Sequence, residues 1–279
     1  MYRGKKTLTA RSFLYIFLII FAVIIFYPIF LMFLTSLKEN REIFMNPYGL
    51  PETTTLGGYI KLFRISNYGA YFRNSIIVTV GSIFIILVVS SFASYVLAEY
   101  KFFGNRFIYF YFIAGLMIPI RLGTIGILQT MIRIKLFDNI MSLIIVYVAM
   151  GIPFGVFILT DFIRFIPEEL SNAARIDGCS EPKIFYKIII PLLRPAMAIV
   201  AIINFIPIWN DFWFPLILIR SDNMKTVPLA TALLFGQFET DFGLIFSALS
   251  MASLPLVIFY LILSRQFGKG LTAGAFKGE

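Results

Sequence analysis

Few side chains in this sequence could carry covalent or metal chemistry. The 279 residues include no histidine and one cysteine, Cys179. Histidine is the commonest metal ligand and a frequent general base, so its absence argues against a metalloenzyme or a histidine-based hydrolase. A single cysteine forms neither an intrachain disulfide nor a cysteine metal site. Any specific chemistry must therefore come from a small number of charged, amide and aromatic side chains.

Two charged residues, Arg121 and Asp211, stand inside long apolar stretches. A charge at the centre of a bilayer costs about 2.5–3.5 kcal/mol on insertion scales, so neither is expected to face lipid. Each could line a solute path, or pair with the other or with a partner subunit. Asp211 lies about 25 Å along a helix from Arg194, which places it near the outer membrane interface.

Uncharged residues in the same stretches are further candidates for a solute path. They are Gln129, Asn204, Trp209 and Asn210. Trp209 also belongs to an aromatic group with residues 212–214. Such rings could stack on the apolar faces of sugars, or could form the aromatic belt found at membrane interfaces. The sequence leaves both interpretations open.

The elements that must position these residues are membrane helices. The chain is 59% hydrophobic and 14% charged, whereas soluble domains are about 45–50% apolar and about 25% charged. Crossing the hydrocarbon core takes about 20 residues of helix, and lipid offers no partner for an unpaired backbone group. We therefore predict an all-α, polytopic protein with six transmembrane helices. The six apolar stretches are residues 12–37, 74–98, 107–132, 139–160, 195–219 and 242–264.

The distribution of basic residues predicts the orientation. The net charge is +9, but the basic residues lie in short loops and tails, so the excess indicates topology rather than nucleic-acid binding. We expect a retained first helix, because its apolar run is longer than that of a secretory signal. If both termini are cytosolic, the segments on the cytosolic side contain more Lys and Arg than the external segments do. The cytosolic segments are then 1–11, 99–106, 161–194 and 265–279, and residues 38–73 form a long external loop.

Prolines and glycines interrupt several of the predicted membrane helices. Examples are Pro119, Gly151, Pro153 and Pro207. Such residues are simply common in membrane helices, but they also kink helices around the substrate path of transporters. The sequence does not decide between these explanations.

The cytosolic segment 161–194 has a pattern that predicts a helix, a sharp break and a second helix. Pro167 and the acidic residues after it suit a helix N-terminus. Gly178 suits a left-handed helix stop. Ser180 can cap a second helix, which we expect to end near Pro191 and to lead into the fifth membrane helix.

One side of the first of these helices is expected to carry small residues. Leu170, Ala173, Ala174 and Asp177 follow the spacing i, i+3, i+4, i+7 and share a face. A face of alanines permits close approach of a cytosolic partner. The alternative on periodicity alone is an amphipathic helix that lies on the membrane surface.

The exact residues of this segment resemble the EAA loop of ABC importer permeases. Five positions match its pattern in order and spacing, namely Ala173, Ala174, Gly178, Ile188 and Pro191. Asn172 replaces the motif glutamate and Ile190 replaces a leucine. The segment 266–278 resembles the C-terminal signature of the smaller permease subunit in maltose-type sugar importers. Shorter matches are Ser36-Leu37-Lys38, Asn74-Ser75 and Trp209-Asn210.

The resemblance implies a type I ABC importer permease of the carbohydrate-uptake type, with its core at residues 74–264. It implies a second homologous permease, a cytosolic ATPase dimer and an external solute-binding protein as partners. ATPase-coupling residues would be Glu169, Leu170, Ala173, Ala174, Arg175, Asp177 and Gly178. Contacts of the tail with the ATPase would involve Gly270, Thr272, Gly274 and Lys277. A permease for a polyamine or phosphate is the alternative, and a membrane-embedded enzyme is a more distant one.

No segment has the spacing of a phosphate-binding loop. The stretch Gly268-Lys269-Gly270 lacks the upstream glycine and the following hydroxyl residue of that motif. We therefore expect that this chain binds no cofactor, and that ATP and Mg²⁺ bind to the partner ATPase.

Overall fold

The computed structural model describes residues 3–237 and 241–275, and this part of the chain is helical, without strands. The chain divides into two compact units. The first unit comprises the residues up to 67 together with 231–254, and the second comprises residues 68–230 together with those from 255 onward. The predicted all-α class is confirmed. Helices α12, Val227–Gln237, and α13, Phe242–Ala275, contribute residues to both units.

The first unit begins with the long helix α1. Its three N-terminal helices are α1 (Arg3–Thr35), α2 (Asn40–Met45) and α3 (Gly57–Ile65). Apolar side chains of α1 are exposed between Phe13 and Phe30, as expected for a helix whose solvent is lipid. Just after α1, the buried Lys38 donates a hydrogen bond of 2.6 Å to the carbonyl oxygen of Asn46. This bond holds α2 close to the end of α1.

Asp241 connects the separate segments of the first unit. Its carboxylate accepts a hydrogen bond of 3.2 Å from Asn40 and forms an ion pair with Lys61. The Asn40 side chain in turn accepts from the backbone N–H of Gly243 at 2.7 Å. Burial alone would raise the pKa of Asp241, but the bonds from Lys61 and from the backbone N–H of Leu244 lower it below the ordinary value. The carboxylate therefore stays charged at neutral pH.

The second unit contains the remaining elements of the chain. Its helices are α4 (Tyr68–Glu99), α5 (Asn105–Met117), α6 (Thr124–Arg133), α7 (Ile140–Arg164), α8 (Glu168–Ile176), α9 (Glu181–Ile184), α10 (Ile190–Trp209) and α11 (Trp213–Leu218). Two short 3₁₀ turns lie at Ile120–Gly123 and Asp222–Met224. A π-helical segment, Phe185–Ile189, joins α9 to α10, so that Glu181–Trp209 is one continuous helix.

Within residues 3–237 and 241–275, five helices are long and apolar enough to cross a membrane, and α5 with α6 forms a bent pair that could be the sixth span. The bend is 85°. It falls at Ile118 and Pro119, because proline lacks an N–H and forces the preceding residue out of the helical region. Ile118 is accordingly extended, with φ −86° and ψ 118°. The predicted helix at 107–132 is thus broken in its middle.

The predicted helix at 195–219 also differs from the observed one. The observed helix starts at Glu181 and ends at Trp209, and α11 follows after a break at residues 210–212. The second helix of the cytosolic segment therefore does not end near Pro191. The π-helical turn accommodates the proline, since the N–H of Ile190 bonds to the carbonyl of Phe185, five residues back. Such single π turns are often found at functional positions.

The core of the second unit is the contact between α4, α7 and α10. Small residues let α4 and α7 approach closely, as is common between membrane helices. Ser94 donates a hydrogen bond of 3.2 Å to the carbonyl of Val156. Opposite Ser90, a side chain on Gly155 would lie 2.7 Å from the serine Cβ. Gly151 is similarly enclosed by Ile86, so these glycines serve packing within the unbroken helix α7.

Gly155→Val should loosen the contact between α4 and α7. Overpacking of this kind costs about 1–3 kcal/mol, because Ser90 leaves no room for a larger side chain. The detergent-purified variant should unfold several degrees below the wild type in a thermal scan. The matched control is Gly126→Ala on α6, where nothing lies within 4 Å of the added Cβ. It should unfold at or above the wild-type temperature, and equal midpoints for Gly155→Val and the wild type would contradict the close packing.

Candidate functional site

Helix α8, in the segment 161–194, folds as its local sequence predicts. It starts directly after Pro167, and Glu168 and Glu169 lie in its first turn. Gly178 ends it with φ +76°, a left-handed conformation that favours glycine. The N–H of Cys179 then bonds to the carbonyl of Ala174 at 2.9 Å. The predicted left-handed stop at Gly178 is confirmed.

Arg175 fastens α8 to two long helices. Its guanidinium donates a hydrogen bond of 2.7 Å to Glu99, at the end of α4, and another of 2.7 Å to Glu181, at the start of α9. A third donated bond, of 2.9 Å, reaches Asn172. The bonds to Glu181 and Glu99 raise the pKa of Arg175 above its ordinary value. Arg175 is therefore engaged inside the chain, where it positions α8.

Glu181 is the centre of this network, and sequence reasoning missed it. Besides Arg175, it accepts hydrogen bonds from the hydroxyls of Tyr95 at 2.8 Å and Tyr100 at 2.7 Å. We call these residues, with Glu99, the Arg175 cluster. Its partners come from distant parts of the sequence, so no local spacing could have indicated them.

Ala174 is part of the protein's own core. It is buried against a cluster that includes Ile163, Ile184 and Phe185. The prediction that Ala174 shares an accessible face with Leu170, Ala173 and Asp177 is therefore wrong for Ala174. The reason is that α8 packs its alanine onto the adjoining helices, so the small residue serves an internal contact.

The accessible surface of α8 consists of other residues. Glu169, Ala173 and Asp177 are exposed, and Leu170 is 45% exposed. Ile176 is 87% exposed, although it is a large apolar residue. We call these five residues the α8 surface. Ile176 could have been noticed in the sequence, since an isoleucine between Arg175 and Asp177 is unusual in a polar helix.

A cavity of about 470 Å³ lies beside the breaks in the two interrupted helices. Its polar lining includes Arg121, Tyr147, Asn204, Asn210 and Asp211. The structure thus brings together four of the residues that the sequence indicated for a solute path, and adds Tyr147. Arg121 comes from the 3₁₀ turn after the first break, and Asn210 and Asp211 form the second break.

The carboxylate of Asp211 finds its hydrogen-bond partners within the chain. Its carboxylate accepts hydrogen bonds from the backbone N–H groups of Trp213 at 3.3 Å and Phe214 at 3.0 Å, which begin α11. It also accepts from the hydroxyl of Tyr147 at 2.8 Å. These bonds take the place of the backbone hydrogen bonds between residues i and i−4, which end with α10 at Trp209. Asp211 therefore stabilises the break.

Arg121 differs from Asp211, because its charge has no acidic partner in the described part of the chain. The two residues line one cavity without forming an ion pair. The Arg121 guanidinium lies over the ring of Trp213, at 5.9 Å from its centroid. Trp213 is held in turn by a hydrogen bond of 3.0 Å from its indole N–H to Thr124. Arg121 is thus oriented by an aromatic contact and can still donate hydrogen bonds.

The other predicted residues lie elsewhere. Trp209 is only 2% exposed and stacks on Phe205 with the ring centroids 6.0 Å apart, so it packs in the core instead of lining the cavity. Gln129 is exposed on α6, outside the cavity lining. In the tail, the backbone of α13 is helical through Ala275 and includes Gly270, Thr272 and Gly274. Lys277 lies outside the described residues.

Comparisons with known proteins agree with this arrangement. Residues 87–272 match the family described as binding-protein-dependent transport system inner membrane component. The chain is 32% identical over 263 residues to the diacetylchitobiose uptake system permease protein NgcG of Streptomyces coelicolor, covering 93% of this chain and 87% of that protein. It is 33% identical over 261 residues to the arabinooligosaccharides transport system permease protein AraQ of Halalkalibacterium halodurans, covering 92% and 93%.

A solved structure shares the fold. It is that of a bacterial ABC transporter involved in the import of the acidic polysaccharide alginate, with a TM-score of 0.80 and 21% identity over 96% of this chain and 99% of that one. The chain belongs to the family of binding-protein-dependent transport system inner membrane components. It has the type I ABC importer permease fold, and it is a membrane transport subunit rather than an enzyme.

Glu181→Gln should loosen α8, because it removes the carboxylate that holds Arg175. Losing a charged hydrogen-bond partner costs about 1.5–3 kcal/mol, which corresponds to at least about tenfold more frequent opening of α8. Cys179 is half-buried beside α8 and is the single cysteine of the chain. Maleimide labelling of Cys179 in the detergent-purified protein, followed by mass spectrometry, should therefore accelerate about tenfold.

The matched control is Glu52→Gln, which removes the same charge from an exposed residue of the loop 38–73. This residue is outside α8 and outside the Arg175 cluster, so labelling should keep the wild-type rate. Equal rates for Glu181→Gln and Glu52→Gln would show that the cluster does not hold α8 in place.

Proposed function

We propose that this chain is the transmembrane permease subunit of an ATP-driven importer that carries a sugar or oligosaccharide. The observation that carries the proposal is the cavity lined by Arg121, Asn204 and Asn210 beside two broken helices. Discontinuous helices line the substrate sites of many transporters, because irregular backbone is tolerated there and not against lipid. Amide and guanidinium groups match the hydroxyl groups of a saccharide.

The substrate class is supported by the relatives. Both curated relatives described above are named as permeases for oligosaccharides or an amino-sugar disaccharide. Their similarity extends along 93% and 92% of this chain. A polyamine is less compatible with the cavity, because its positive charge would meet Arg121 while Asp211 is engaged by backbone N–H groups.

A partner ATPase is supported by the α8 surface. An isoleucine that is 87% exposed, beside Leu170 and Ala173, gives α8 an apolar contact area on an otherwise polar helix. The family operates with a binding protein, and we propose in addition a second homologous permease and a cytosolic ATPase dimer. In this assembly ATP and Mg²⁺ bind to the ATPase and this chain binds no cofactor. The resemblance of residues 266–278 to the maltose-type signature supports a further contact of the tail with the ATPase.

The orientation of the chain in the membrane follows from the proposed docking of the ATPase. Docking of an ATPase to α8 requires the segment 161–194 to be cytosolic, which agrees with the excess of Lys and Arg on that side. Both termini are then cytosolic and residues 38–73 are external. Closure of the ATPase dimer would move α8, and the cavity would open alternately to the two sides.

Ile176→Glu should weaken the association of the permease with its ATPase. Burying an isoleucine is worth about 1.5–3 kcal/mol, and a carboxylate in its place would be left without a partner. The amount of ATPase that copurifies with the tagged permease should fall at least tenfold, together with uptake. The matched control is Leu50→Glu, which makes the same kind of change at a residue that is also exposed but lies in the loop 38–73. Normal copurification of the Ile176→Glu variant would contradict docking on the α8 surface.

Cells that contain the complete transporter should take up a radiolabelled oligosaccharide, and neither putrescine nor phosphate should compete for uptake. Arg121→Gln should raise the KM for uptake about tenfold, because one charged hydrogen bond to the solute is lost. Arg133 lies in the same half of the bent pair, Ile120–Arg133, but outside the cavity lining. Arg133→Gln should therefore leave the KM unchanged. Competition by putrescine or phosphate would overturn the sugar assignment, and an equal effect of both substitutions would exclude the cavity from the solute path.

A further inference from the structure

The turn between α4 and α5 is preformed at the end of two membrane helices. The side-chain amide of Asn105 donates a hydrogen bond of 3.1 Å to the carbonyl group of Leu97, in the last turn of α4, and one of 2.8 Å to that of Tyr100, just after the helix. Gly104 has φ +88°, which favours glycine at this position. The N–H of Asn105 closes the turn by bonding to the carbonyl of Phe102 at 3.1 Å. The side chains of the turn are therefore presented in a fixed arrangement.

A second cleft, of about 790 Å³, lies beside this turn, and the solute path does not include it. Three basic residues line it, Lys101 and Arg106 from the turn and Arg164 from the end of α7. Aromatic residues of the turn complete the lining. Among these, Phe103 is fully exposed and Phe107 is 75% exposed. The cleft thus combines positive charge with accessible apolar rings.

Most of the positive charge of the cleft is not neutralised by the chain itself. Lys101 forms no ion pair within the described residues. Arg106 lies over the ring of Phe110, at 5.6 Å from its centroid. Arg164 is the exception, because it lies 3.5 Å from Asp161 in an exposed pair, which contributes little. An anion entering the cleft would meet at least two cations whose charges are uncompensated.

We propose that this cleft, which we call the basic cleft, binds the phosphate headgroup of an anionic phospholipid of the cytosolic leaflet. Basic pockets on the cytosolic side of membrane helices suit such headgroups, and the two exposed phenylalanines match the acyl region next to them. The apolar rings favour a lipid over a free anion, because a soluble phosphate gives Phe103 and Phe107 nothing to contact. The site is separate from solute transport, and it depends on the proposed cytosolic placement of residues 99–106.

The test measures lipid binding to the complete purified transporter. Native mass spectrometry counts molecules of dioleoylphosphatidylglycerol bound per complex during a titration, with dioleoylphosphatidylcholine as the neutral comparison. Removing the three cations with Lys101→Gln, Arg106→Gln and Arg164→Gln together should weaken phosphatidylglycerol binding at least tenfold. Phosphatidylcholine binding should not change. Because Arg164 also contacts Asp161 and the ring of Tyr109, Lys101→Gln alone serves as a second variant and should weaken binding about threefold.

The matched control removes the same charge from the opposite end of the membrane helices. It combines Arg133→Gln, Lys135→Gln and Arg220→Gln, three exposed residues outside the basic cleft, and should keep wild-type phosphatidylglycerol binding. An equal loss in both triple variants would show general attraction to charge and would overturn the site.

Two further measurements distinguish a bound lipid from other occupants of the basic cleft. Phe103→Ser with Phe107→Ser should also weaken phosphatidylglycerol binding, since the rings contact the lipid. Inorganic phosphate at millimolar concentration should not displace the lipid, and displacement would make the cleft a site for free anions instead. Loss of the copurified ATPase with unchanged lipid binding in the first triple variant would identify the cleft as a protein interface and would contradict the proposal.

Discussion

Backbone groups inside a hydrocarbon layer must find their hydrogen-bond partners within the protein, and this constraint applies to both helix breaks in the second unit. The first break, at Ile118 and Pro119, bends α5 against α6 by 85°. At the second, the carboxylate of Asp211 accepts from the N–H groups that start α11. Residues at both breaks line the same cavity, so the irregular backbone lies next to a polar space. The cavity is therefore a consequence of where the helices are interrupted.

In the same unit, hydrogen bonds and one continuous helix connect α8 to that cavity. Arg175 ties α8 to Glu181, which begins the continuous helix that ends at Trp209. Asn210 and Asp211 follow immediately and line the cavity. A displacement of α8 thus has a direct route, along one helix, to the residues that line the cavity. The additional bond from Arg175 to Glu99 brings α4 into the same connection.

Close packing between α4 and α7 allows a movement of one helix to be transmitted to the other. Ser90 and Ser94 on α4 lie against Gly155 and Val156 on α7 with no room for larger side chains. Helices in contact at this distance move together, because interiors packed to this density transmit strain.

The sequence by itself determined the class of the fold, four of the six apolar helices and the local form of α8, because these depend on residues close together in the chain. The length of an apolar run fixes whether a helix can cross the membrane, and Gly178 ends α8 whatever surrounds it. The two polar groups Arg121 and Asp211 were also recognisable, since charge inside an apolar run is rare.

Only the tertiary structure decided which sides of these elements are accessible. Helical spacing alone does not indicate whether Ala174 or Ile176 is the accessible residue of α8. The neighbouring helices bury Ala174 and leave Ile176 exposed. Trp209 belongs to the core because Phe205 stacks on it, and Arg175 is internal because Glu99, 76 residues earlier, reaches it. Such contacts join distant parts of the chain, and the spacing of residues within one segment carries no information about them.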